Sequence, residues 1–114
     1  MALTSTLIST ANTNTTVFTS TATSPVLGNA ITSIIICNTS ASTSATFTMY
    51  AVPNVAGSQG TASTSNMIIN AITIPPTETV SLDQEKLVLS NNDLLVAKAS
   101  VANVLAVTVS TLAV

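Results

Sequence analysis

The chain is 114 residues long, 46% hydrophobic but only 5% charged, with a net charge of −2. An ordinary soluble domain is about 25% charged. With Lys86 and Lys98 as its only cationic side chains and no histidine, the composition argues against a nucleic-acid surface, which is built on Lys and Arg. It also excludes Ser-His-Asp and Cys-His catalytic sets and histidine-based metal sites.

Taken in chain order, residues 3–10 and 15–23 are Thr-rich with scattered apolar positions. Both read as strands, joined near Asn12-Thr13-Asn14, because Thr packs well on a pleated surface. Residues 1–24 as a whole are a Thr-rich segment expected to contact a neighbour. Ser24-Pro25 and Gly28-Asn29 mark a break. Residues 31–37, rich in isoleucine and apolar on both faces over part of their length, read as a central strand. The linker 38–44, made of small polar residues and alanine, predicts a hairpin into the strand 45–52. In that strand Phe47, Met49 and Ala51 alternate with Thr46, Thr48 and Tyr50, the period of a half-buried strand. Phe47 is therefore a core residue. Tyr50, on the opposite face, is a candidate interface anchor, since tyrosine is enriched in interfaces.

Residues 53–66, with Gly57, Ser58, Gly60 and Ser63, predict a long, exposed, mobile loop. Val55, Gly57 and Gly60 on this loop, together with Phe18 and Tyr50, form the candidate interface set. Deleting residues 57–63 is expected to spare folding and weaken docking. A strand resumes over 67–74 and stops at Pro75-Pro76. Short strands follow at 79–82 and 86–89, separated by a turn at Asp83-Gln84-Glu85. Asn91-Asn92-Asp93 supplies turn chemistry, because Asn and Asp tolerate positive φ. Strands over 94–99 and 104–113 close the chain, the last alternating Leu105, Val107 and Val109 against Ala106, Thr108 and Ser110. A helix over residues 93–106 is the competing pattern, disfavoured by its Val and Ser content and by Asn103.

These elements predict a single all-β domain over residues 1–114: an antiparallel β-sandwich or jelly roll of about eight strands. A chain of this length buries roughly 65% of its unfolded surface, enough for one core. The longest apolar runs fall far short of the ~20 residues of a membrane-spanning helix. The first five residues lack the basic and apolar regions of a signal peptide, so synthesis and folding in a cytoplasm are expected. Cys37 is the one cysteine. It reads as a small buried hydrophobe of the central strand.

Little in the sequence carries chemistry. Three glycines form no phosphate-binding pattern, and no catalytic residue, cofactor site or metal site is assigned. Asp83 and Glu85 share a turn and have the oxygen chemistry of a Ca²⁺ ligand pair, but a solvated turn is the simpler reading. Glycan- and single-strand-binding surfaces stack their ligands on several aromatic rings. This chain has only Phe18, Phe47 and Tyr50. A surface with so few charges has weak colloidal repulsion, which favours a subunit of an assembly, a dimer or trimer of this chain among the arrangements.

The stretches "IIICNTSASTSATFTMYAVP" and "ITIPPTETVSLDQEKLVLSNNDLLVAKASVANVLAVTVSTLAV" carry a resemblance. Their strand ending in Ile-Pro-Pro, "VSLDQEKLVLSNND" stretch, Ala/Ser-rich strand and terminal "VTVSTLAV" resemble small accessory virion proteins of tailed bacteriophages, over residues 31–114. Asn92-Asp93 stands where that pattern often has Gly-Asp. The resemblance implies a structural place in the particle and no activity. The expected role is capsid decoration, with the major capsid protein or another virion protein as partner and the virion as location. A tail, baseplate or neck component is the first alternative, and a receptor- or glycan-binding adhesion module the second.

Overall fold

The computed structural model describes residues 2–82 and 87–114. Its strands are β1 (Ala2–Leu7), β2 (Thr15–Thr19), β3 (Asn29–Asn38), β4 (Ala45–Val52), β5 (Met67–Ile74), β6 (Thr79–Leu82), β7 (Leu87–Leu89), β8 (Leu94–Ala99) and β9 (Leu105–Ala113). A 3₁₀ turn at Thr64–Asn66 precedes β5. The helical alternative for residues 93–106 gives way to β8, a turn with Asn103 at φ 60°, and β9. The turn expected at Asp83-Gln84-Glu85, and Lys86 at the head of the following strand, lie outside the described residues.

All pairings are antiparallel. The first sheet runs β1-β9-β3, with β6 and β7 both on the far side of β3. The second runs β2-β8-β4-β5. Since β6 faces residues 34–37 of β3 and β7 faces residues 29–31, the two share one edge position as an interrupted strand. Taken as one, they complete a nested set of partners: β1 with β9, β2 with β8, β3 with β6 and β7, β4 with β5. A long antiparallel ribbon, rolled until β3 also meets β9 and β4 also meets β8, is a jelly roll.

The hairpin expected between β3 and β4 does not form. Both neighbours of β3 are already supplied by β9 and by β6 with β7, and both neighbours of β4 by β8 and β5. Residues 39–44 instead arch from one sheet to the other. A polar linker between two apolar strands suits an arch as well as a hairpin, and strand period cannot separate them. The arch is set by Asn38, whose side chain is buried at its base. Its Nδ2 donates to Thr43 O and Ile74 O, both at 2.9 Å, while its Oδ1 accepts from Ser40 N–H at 2.9 Å.

The core lies between the sheets. Ile31, Ile34 and Ile36 of β3 and Val107 and Val109 of β9 meet Phe47 and Met49 of β4 and Leu95 and Ala97 of β8, all buried. Phe47, Met49 and the alternation of β9 fall as their period-two pattern predicts. Each large side chain removed from water contributes about 1.5–3 kcal/mol. Ile35 and Cys37 point the other way. Cys37 is only half-buried, so it is not the core residue expected from a central strand.

Candidate interaction surface

The two outer faces of the sandwich are treated differently. On the second sheet, Tyr50 and Val52 of β4 and Leu94 and Val96 of β8 are buried, with Ala62 and the cross-strand neighbour Met67 packed against them. The segment after β4 folds back over this face. Tyr50 is 6% exposed, so it is not an interface anchor. Its phase in the strand was legible; the chain that covers it was not.

The covering segment is tied down from below. Asp93 accepts hydrogen bonds from Asn54 N–H (2.7 Å), from Asn54 Nδ2 (2.9 Å) and from Ser90 N–H (2.8 Å). Burial raises the Asp93 carboxyl, but the Asn54 and Ser90 donors outweigh it and hold the group below its ordinary value. Asn92, at φ 66°, donates from Nδ2 to Gly57 O at 2.7 Å. Val55 and Ser58 form a bridge that closes the tip, where Gly57 takes φ +83°. A Cβ at Gly60 would lie 2.5 Å from Pro53 O, so Gly60 permits a close backbone approach. Asn66 closes the far end, donating to Thr61 O and accepting from Ser63 N–H. Residues 57–63 are therefore part of the fold, against the expectation that they are dispensable for folding.

Among the described residues, none covers the outer face of the first sheet. Cross-strand register places its outward side chains in rows. Leu3, Ser110 and Ser33 form one row. Ser5, Thr108, Ile35 and Ser81 form the next. Leu7, Ala106, Cys37 and Thr79 form a third. Beyond the bulge at Ile31/Ser33, Leu112, Ala30 and Val88 form a fourth. The intervening positions, such as Thr6, Val107, Ile36 and Val80, turn inward. No side chain in these rows is charged, and its polar groups are hydroxyls and the Cys37 thiol. Of the nine exposed large aliphatic residues among those described, five lie here: Leu3, Leu7, Ile35, Val88 and Leu112. Lys98 faces outward on the second sheet, opposite Thr48.

The predicted interface residues do not form one surface. Val55, Gly57 and Gly60 share the covering loop, with Val55 exposed at its tip. Phe18 sits on β2, half-buried against the core, beside a cleft of about 320 Å³ shared with Thr4, Thr6 and Thr16. At the opposite open edge, Ile34, Ile68, Ile69, Leu82 and Leu87 line a gap of about 350 Å³. Among the described residues that lining is aliphatic, without the placed polar side chains that orient a small ligand. Among the described residues no cluster of acidic, cysteine or histidine side chains has the make-up of a metal site; Asp83 and Glu85 lie outside them. Nor is any helix among them long and apolar enough to cross a membrane.

Sequence reasoning missed the outer face of the first sheet. Its signal was the unbroken Ile34-Ile35-Ile36-Cys37 run, which placed apolar residues on both sides of β3 but suggested that both sides are covered. No family profile, curated protein or solved structure matches the chain.

Proposed function

We propose that this chain is a structural virion protein of a tailed bacteriophage, a capsid decoration subunit that docks on the major capsid protein. The observation that carries this reading is the outer face of the first sheet, uncharged and uncovered among the described residues, which marks the chain as a subunit of an assembly. A Ser/Thr/aliphatic surface can be buried against protein without the desolvation cost of charged groups. The jelly roll supports the reading by analogy alone, since viral shells and lectins both use it. The sequence resemblance over residues 31–114 points the same way. Against a glycan-binding module stand the positions of the aromatic rings: Phe47 and Tyr50 are buried and Phe18 packs against the core, leaving no stacking platform.

The test is quantitative mass spectrometry of purified particles, counting this chain against the major shell protein. A ratio near parity, or a simple fraction of it, supports decoration. A copy number matching one ring or a few fibres assigns the protein to tail or neck. Absence from particles overturns the virion reading.

A further inference from the structure

We infer that the occupant of the bare face is a second copy of this chain, in a two-fold, face-to-face dimer. The inference rests on reading that face as covered in the working state, and not on which part of a particle holds it.

Charge is the first argument. An interface about a two-fold axis sets one patch against itself, so a charged group close to the axis meets its own copy, a like charge. Among the described residues, the rows of this face hold no charged side chain. A Ser or Thr hydroxyl is both donor and acceptor, so Thr108, Ser110 and Ser33 complement their own copies in any register. A partner selected by charge finds no handle here.

Size and shape agree. The face is four strands wide and about four same-face positions long, which at ~4.8 Å and ~6.8 Å spacing makes roughly 500 Å² in plan. Two copies then bury roughly 1,000 Å², the low end for a specific interface. Along the inner strand β9 the residues Ala106, Thr108 and Ser110 are small, while Leu3, Leu7 and Val88 stand on the outer strands, Ile35 on the inner strand β3 and Leu112 at the end of β9. A second sheet can approach closely over these small residues of β9 while the aliphatic groups pack around them.

Sedimentation velocity across a concentration series is the experiment, on the full chain and on Thr108→Lys, Thr108→Glu and their equimolar mixture. Thr108 lies in one of the two inner rows and is half-exposed, so either charge fits the folded monomer, which a far-UV CD melt verifies. The expected wild-type result is a reversible dimer with a dissociation constant of order 10–100 µM. Each variant alone weakens association at least tenfold, and the mixture restores it. Alkylation of Cys37, half-buried on the same face, slows as wild-type concentration rises and stays constant in Thr108→Lys. A wild type that is monomeric throughout overturns the inference, as does a dimer indifferent to Thr108→Lys. A monomeric protein that still occupies particles in the expected ratio would leave the virion reading standing and this one refuted.

Discussion

Replacing Asn38 tests how the two sheets are joined. Its side chain is 1% exposed and makes three hydrogen bonds, to Thr43 O, Ile74 O and Ser40 N–H. Asn38→Ala removes all three at about 1 kcal/mol each, so about 3 kcal/mol is expected, with more if Ile74 O is left unpaired. For a domain of this size ~1 kcal/mol moves the melting temperature by about 4 °C, which predicts a fall of about 12 °C. Asn38→Asp separates hydrogen bonding from volume. It sets a carboxylate oxygen against the Thr43 and Ile74 carbonyls, which favours the protonated acid in the folded state. The unfolded chain releases that proton near its ordinary value of about 3.9. The folded state then holds more protons, and stability falls as pH rises past that point. Urea unfolding followed by CD at pH 7 and pH 4 should show Asn38→Asp closer to wild type at pH 4. An Asn38→Ala protein within about 1 kcal/mol of wild type, or an Asn38→Asp penalty independent of pH, would refute the clamp.

Three further outcomes follow from the covering loop and its supports. A Cβ at Gly28 would lie 2.0 Å from Leu89 O, a backbone atom, whereas at Gly57 nothing lies within 4 Å and only φ +83° opposes it. Gly28→Ala should therefore cost about 1–3 kcal/mol by thermal melt and Gly57→Ala only about 1 kcal/mol, and a reversed order would contradict the packing. The Asp93 carboxyl is depressed by its Asn54 and Ser90 donors, so its contribution is complete above the unfolded value and lost as pH falls from about 4 through the folded value. Wild type should lose more stability on acidification through that window than Asp93→Asn; equal slopes would deny the carboxylate this role. Deleting residues 57–63 removes Ala62 from above Tyr50 and the Gly57 acceptor from Asn92, and about 1–2 kcal/mol should be lost in urea unfolding. An unchanged midpoint would mean that the cover contributes nothing to the fold.

The strands were legible because side-chain period and turn chemistry are local. β4, β5, β6 and β8 fall on the residues their patterns predict, and Asn92 and Asn103 take the positive φ expected of asparagine in turns. Sheet membership was not legible. Asn38 reads as the first residue of a solvated linker, and only the approach of Ile74, distant in sequence, makes it a buried clamp. Tyr50 shows the same limit from the other side. Its phase relative to Phe47 and Met49 is correct, but phase assigns a side chain to a face and says nothing of what lies over that face. The residue Ala62 that packs on this cluster sits in a segment whose Gly and Ser content suggests exposure. The bare face of the first sheet is harder still, since it is built from every-second residues of β1, β3, β6, β7 and β9, and no single segment displays it.

The contrast between the two outer faces bears on why so few charges are present. Natural sheets guard their exposed parts with Lys, Pro, bulges or a covering loop. The second sheet uses these devices: a covering loop, Lys98 facing outward on β8, and an edge strand β5 whose pairing is interrupted, with Ala71 at φ 50°. The described outer rows of the first sheet carry no lysine, proline or covering loop, although β3 has a bulge at Ile31/Ser33 and the far edge is interrupted between β6 and β7. Its edge strand β1, with the sequence ALTSTL, carries neither charge nor proline. The outer face of one sheet thus has a cover and a lysine, and the described outer rows of the other have neither. Placing a lysine at Thr108 would discourage non-specific contact, but it would also have to be desolvated whenever the face was covered, at a cost of several kcal/mol for an unpaired ion. Hydroxyls avoid that cost, because they find a partner in water or in protein alike. On the proposed reading, a face wet in the free chain and dry in an assembly is best made of Ser, Thr and a few aliphatic residues, and that is the composition of these rows.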